Sequence, residues 1–400
     1  MSVAKRVLIS IAFIIVAGGI GYAVYRVFFS ASPGGVPAAG GDVARTGKLT
    51  PARPGLPRAT STPPERIPTP SPTARGGLTL AASISAGRTT APALSADGRS
   101  VSFYDPARGK FYRVGADGIN TALSDRQFYN VQNVTWAPGQ AKAIIEYPDG
   151  SKVLYDFDAQ RQVTVPKHWT DFDFSPDGAA LAGKSIGADP QNRWLFVANA
   201  DGSGVTPLEP LGENADKVAV SWSPRKDIVA FSRTGTEIGF GREEIVPIGL
   251  RGENLKGLVV EGFGFNSIWS ADGARLAYST YAADDGYRPE LWVVDGGARL
   301  GENRRRLNLA TWADKCVAAG ANSLYCAVPT ELPEGAGFER SIAAATPDRI
   351  FRVDLGTGQS TLVAEPDART SYGKLMLSAD GKTLFLQDAG GGALRSIALP

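Results

Sequence analysis

Residues 178–185, GAALAGKS, fit the phosphate-loop expression GxxxxGK[ST], in which glycines let backbone N–H groups wrap a phosphate and the last Ser opens a helix. The surrounding sequence refuses that chemistry. Gly178 closes a Ser-Pro-Asp-Gly turn, residues 180–182 fall in strand register, and Gly187 with Pro190 leave no room for the helix. Residues 183–187, GKSIG, match the nucleophile elbow of serine hydrolases, which requires an acid and then a histidine downstream. The one histidine, His168, lies upstream, so no Ser-His-Asp enzyme is expected. Asp284 and Asp285, in AADDGYRPE, suggest calcium but lack the alternating spacing and ligand number that six to eight oxygens need.

Composition narrows the classes further. Lys plus Arg is 42 against 40 for Asp plus Glu, a net charge of +2, too balanced for a nucleic-acid surface. Two cysteines and one histidine leave no zinc, haem or iron–sulfur site of ordinary composition. No catalytic residue, cofactor or metal is therefore assigned.

The elements that would position any site form a repeat. In residues 266–297 a strand ends at Trp269, a Ser-Ala-Asp-Gly turn reverses it, residues 276–279 return, and residues 290–294 form a third strand turned by Asp295 and Gly296. Asp-Gly is a strong hairpin signal because Gly accepts positive φ and the Asp side chain bonds the turn's backbone. Seven copies follow residue 78, their turns beginning at Ser95, Ala137, Ser175, Ser223, Ser270, Ala318 and Ser378, about 38 to 60 residues apart, the blade period of propellers. Trp136, Phe174, Trp222 and Trp269 precede the turns and are expected to pack between blades. The last copy supplies three strands, and an extra apolar strand over residues 78–84 is expected to complete it and remove an open edge.

Ahead of the repeats, residues 1–6 form a short basic head and residues 7–29 an apolar run of membrane-spanning length. Lys5 and Arg6 keep the head in the cytoplasm, which places the remainder outside; a cleaved signal peptide ending near Ala38 is the alternative. Residues 30–77, rich in Pro, Ala, Ser and Thr, read as a disordered linker. The expected architecture is all-β: a seven-bladed β-propeller over residues 78–400 behind a single transmembrane helix.

FSPDGAALA at residues 174–182, and WSADGARLAYS with LWVVDGG across residues 269–297, resemble the WD40-like repeats of the TolB-type propeller family, a pattern shared with the propellers of prolyl-oligopeptidase relatives. The resemblance implies a propeller that binds or scaffolds. TolB proteins carry a further N-terminal domain where this chain has a span and linker, so their lipoprotein partner is not carried over. The expected role is a membrane-anchored extracytoplasmic binding or scaffolding module with an envelope protein or glycan partner, without nucleic acid. The alternative is an envelope lyase or glycan hydrolase working at the propeller channel.

Two local expectations complete the reading. Cys316 and Cys326 flank the sixth copy's hairpin on adjacent strands and, in an oxidising exterior, should form a disulfide. The partner face should carry the connections between second and third strands, which are long in the third, fifth and sixth copies. Tyr281, Asp284, Asp285, Tyr287 and Arg288 are the candidate partner-binding residues there, beside an insertion over residues 329–348.

Overall fold

Each repeat is set by its turn chemistry. Ser270 Oγ donates to Asp272 Oδ1 at 2.8 Å and accepts the Arg275 N–H at 3.0 Å, while the Ala274 N–H donates to the same Asp272 oxygen. Gly273 takes a φ of 66°, which a side chain would resist. The same bonds recur around Ser175 and Ser378.

The computed structural model describes residues 69–400 apart from residues 140, 237 and 254. The head, the span over residues 7–29 and linker residues 30–68 lie outside them; among the described residues no helix is long and apolar enough to cross a membrane.

The strands group into seven sheets of successive antiparallel neighbours, confirming a seven-bladed propeller. Blade one opens with Thr90–Leu94, blade two with Asn133–Trp136, blade three with Trp169–Phe174 and blade four with Val218–Val220. Blades five, six and seven open with Phe263–Trp269, Cys316–Ala318 and Tyr372–Leu377. First strands of neighbouring blades touch one another at every junction but that of blades four and five, so they are the innermost strands and enclose the channel.

The core lies between blades. Trp136 packs on Phe111 of blade one and donates through Nε1 to the Ala91 carbonyl at 2.8 Å. Trp222 likewise donates to the Asp173 carbonyl of blade three at 3.1 Å, and Trp269 stacks on Phe231 of blade four. Cys316 faces Cys326 in the strand register with Cα atoms 4.0 Å apart, and the two are joined as a buried disulfide.

Closure differs in detail from the expected single strand. Gly77–Thr79 pairs in parallel with Ser360–Pro366, adding a fifth strand to blade six. Ala82–Ser83 then pairs with Leu394–Ala398 and completes blade seven. The switch between blades is fixed at Ala81, whose N–H donates to Asp367 at 2.8 Å. The fold also takes in residues that the sequence placed in the linker. Ala74 is buried and its N–H donates to the Ala398 carbonyl, while the Gly76 N–H reaches Val363.

Candidate binding surface at the channel mouth

The loops joining second to third strands emerge at one end of the channel with the links into each next blade, opposite the Asp-Gly turns. In blade five this loop leaves Tyr281, makes a short turn over Ala283–Asp285, and passes through left-handed φ values at Gly286 and Tyr287 before Pro289–Asp295 begins. A left-handed tyrosine is strained and persists only when its surroundings over-determine it. Here they do: the Tyr287 N–H donates to Ala282 at 2.8 Å, and its carbonyl accepts from Gly337 at 2.8 Å.

Gly337 belongs to the sixth blade's insertion, so the two predicted loops form one structure. Gly335 N–H donates to the Gly286 carbonyl at 2.9 Å, and Arg288 Nε donates to the Leu332 carbonyl at 2.7 Å. The Phe338 ring lies 4.7 Å from Tyr281 and 4.5 Å from Tyr287. A Cβ at Gly337 would stand 2.4 Å from that of Tyr281, which is why the insertion needs glycine there.

This placement changes what the candidate residues do. Tyr281, Tyr287 and Arg288 are half-buried and hold the insertion; Asp285 pairs with Arg306 at 2.6 Å; Asp284 alone of the five is exposed. To the three long connections expected from sequence, the structure adds a fourth, residues 233–241 of blade four, where Gly235, Gly239 and Gly241 break the strand pattern.

Five exposed large apolar side chains lie on or beside the loops of blades four to six. The exposed phenylalanines among the described residues are Phe240, Phe263 (49%) and Phe338 (59%), joined by Ile238 and Ile342. Phe263 opens the innermost strand of blade five and its ring is 6.4 Å from Tyr281. Rings therefore run from the channel edge, through Phe263 and Tyr281, to Phe338 and Tyr287.

Beside this row, over blades six, seven and one, lies a recess of about 540 Å³ lined among others by Arg88, Trp312, Lys315, Arg340, Lys374 and Gln387. Most of its charges are already matched. Lys315 donates to both oxygens of Asp348, at 2.8 and 2.7 Å, with both side chains buried. Desolvation lowers the Lys315 pKa and raises that of Asp348, against their mutual attraction. Arg340 covers the Trp312 ring at 4.6 Å and pairs with Asp314, and Asp388 pairs with Arg395.

Two cations remain. The side chains of Arg88 and Lys374 make no ion pair or hydrogen bond among the described residues. Lys374 sits exposed near the start of an innermost strand and lines the recess, and desolvation pushes its ammonium pKa down.

The other motifs settle into structure. Ala180–Ile186 is a strand carrying Lys184 and Ser185, and Lys184 bonds the Ala215 and Val218 carbonyls and Asp171. Gly183 packs against Phe196 and Phe172. His168 is exposed in the turn before blade three.

No protein-family model matches the chain. No curated protein matches it either. Solved structures do. Oligogalacturonate lyase in complex with manganese matches with a TM-score of 0.52 at 15% identity, over 78% of this chain and 90% of that one. An oligogalacturonate lyase from Vibrio parahaemolyticus gives 0.50 at 9% identity, over 80% and 90%. Tricorn protease gives 0.50 at 13% identity over 80% of this chain, which spans 33% of the protease. At such identities the likeness shows the propeller fold alone.

Proposed function

We propose that this chain is a membrane-anchored, extracytoplasmic β-propeller of the kind its TolB-like repeats resemble, holding an envelope protein or glycan on the loop face of blades four to six. The observation that carries the reading is the concentration of exposed rings there. Phe240 and Phe338 lie on connections that the propeller does not need, Phe263 stands beside them at the start of an innermost strand, and Tyr281, Tyr287 and Arg288 are used to hold the Phe338 connection in place. A clustered apolar surface on a rigid scaffold favours binding over tolerated insertion. The test is capture from the native envelope by the full chain in detergent, with wild type compared to the pair Phe263→Ser and Phe338→Ser. Both side chains are substantially exposed, so folding should survive while capture falls; undiminished capture would move the binding face elsewhere.

A second reading, an envelope lyase or glycan hydrolase at the channel, is favoured by one observation. Lys374 lines the recess with an amine whose pKa desolvation lowers, a property suited to proton abstraction. Incubation with acidic and neutral oligosaccharides, followed by assay for new reducing ends and unsaturated products, separates the readings. Turnover that disappears in Lys374→Gln would establish the enzyme.

A further inference from the structure

We propose that the recess over blades six, seven and one binds an acidic oligosaccharide, with a sugar carboxylate held by Lys374 and Arg88. This deepens the reading above and rests on the same face being the one that meets a ligand.

The charge pattern supplies the first step. Of the cations lining the recess, Lys315 and Arg340 are held by Asp348 and Asp314, and the lining carboxylate of Asp388 is held by Arg395. Lys374 and Arg88 are left without a carboxylate among the described residues. Both side chains reach solvent and line the same recess, so an arriving carboxylate meets two cations that no protein carboxylate already neutralises. Fold maintenance does not explain the lysine. The residue four places before the first turn residue is Ala91 in blade one, Asn133 in blade two, Ala219 in blade four and Asn266 in blade five, all uncharged. At the same place in blade three, Asp171 is exposed and has Lys184 as its partner.

The walls supply the second step. Thr90, Ser341 and Gln387 present polar groups, Ala91, Ala343, Ala344, Gly373 and Gly390 keep the space open, and of the two large rings Trp312 is covered by Arg340 and Tyr372 is buried. Such a lining sets hydrogen-bonding groups among small apolar ones, with no open hydrophobic pocket for a large side chain. It suits a hydroxylated chain better than peptide side chains, whose recognition uses hydrophobic pockets. A volume of about 540 Å³ is in the range of small-ligand sites.

The full chain in detergent is titrated calorimetrically with three probes: a uronic-acid tetrasaccharide, the same tetrasaccharide with its carboxyl groups reduced to alcohols, and an oligoglutamate peptide of similar charge. The acidic sugar should bind, the reduced sugar should bind at least about tenfold more weakly, and the peptide should not compete. Lys374→Gln and Arg88→Gln should each weaken the acidic sugar by roughly tenfold or more, with Lys374→Arg retaining most of the affinity. Equal affinity for the reduced sugar, tighter binding of the peptide, no binding of the acidic sugar, or indifference to both Gln variants would overturn the proposal. Capture through Phe263 and Phe338 is read separately. If that capture persists while the acidic sugar fails, the inference falls and the binding-module reading stands; if both fail, the loop face is not a binding face.

Discussion

Arg288 Nε donates to the Leu332 carbonyl at 2.7 Å, and through this bond a loop of blade five holds an insertion of blade six. Arg288→Ala should therefore loosen the insertion with little effect on the ring, at a cost of about 1–2 kcal/mol for a charged donor in a half-buried setting. Limited trypsin digestion should cut after Arg340 faster in the variant, with the thermal midpoint nearly unmoved. Unchanged cleavage would mean that Phe338 and the glycine contacts suffice.

Burial pushes the Asp173 carboxyl up to about 6, with Asp171 adding to the rise, although the Trp222 N–H donates to it at 2.8 Å. Between the unfolded value of about 4 and about 6, the folded state binds more protons, so this residue makes stability fall as pH rises and contributes no slope above that window. Asp173→Asn keeps an acceptor for Trp222 and removes the charge. Denaturant unfolding between about pH 4 and 7 should show a shallower decline for the variant, with a gain of up to roughly 2–3 kcal/mol at neutral pH. A slope identical to wild type would assign the titration elsewhere.

The Cys316–Cys326 bond closes a short loop across a hairpin whose turn has lost its Asp-Gly. Unreduced protein should show no alkylatable thiol by mass spectrometry, and reduction should lower stability by roughly 2–3 kcal/mol. Two labelled thiols before reductant would contradict the pairing.

Lys315 and Asp348 form an ion pair that also takes the Tyr372 N–H at 2.6 Å, joining blade six to blade seven. Lys315→Met leaves a buried carboxylate without its cation and should cost about 3–5 kcal/mol, the usual effect of removing one partner. Combining it with Asp348→Asn, which keeps an acceptor for Tyr372, should recover a large part of the loss. A double variant no better than the single one would show that the penalty is packing.

The ring and its period were legible because one set of side-chain bonds, such as Ser270 with Asp272 and Arg275, repeats at the first turn of blades three, five and seven, and related turns mark the other blades. The disulfide was legible for a related reason: hairpin register brings Cys316 opposite Cys326. The candidate surface was read only in part. Tyr281, Tyr287 and Arg288 lie in the right loop but face the neighbouring insertion, a contact between segments about fifty residues apart that no local pattern encodes. Phe338 had a signal, as the sole aromatic in residues 329–348. Lys374 had one as well, a cation where four other copies carry Ala or Asn. Arg88 had none, because its place beside Lys374 in the recess depends on how the ring closes.

That closure also sets when the molecule can finish folding. The strands that lock blade seven are tied by bonds such as Arg395 to Ala81 and Leu394 to Ser85, between residues 314 and 309 apart in sequence. Pairings of that separation form late and slowly. During synthesis, the segment ending at Ser83 emerges first and waits for Leu394–Ala398, and until then an unfinished row of blades presents a bare strand edge. A growing chain in that state is open to strand exchange with its neighbours. Chaperones that shield the edge would act before the last residues arrive, and a nonsense change that removes residues 394–400 would leave Gly77–Thr79 on blade six but Ala82–Ser83 without the strand that completes blade seven.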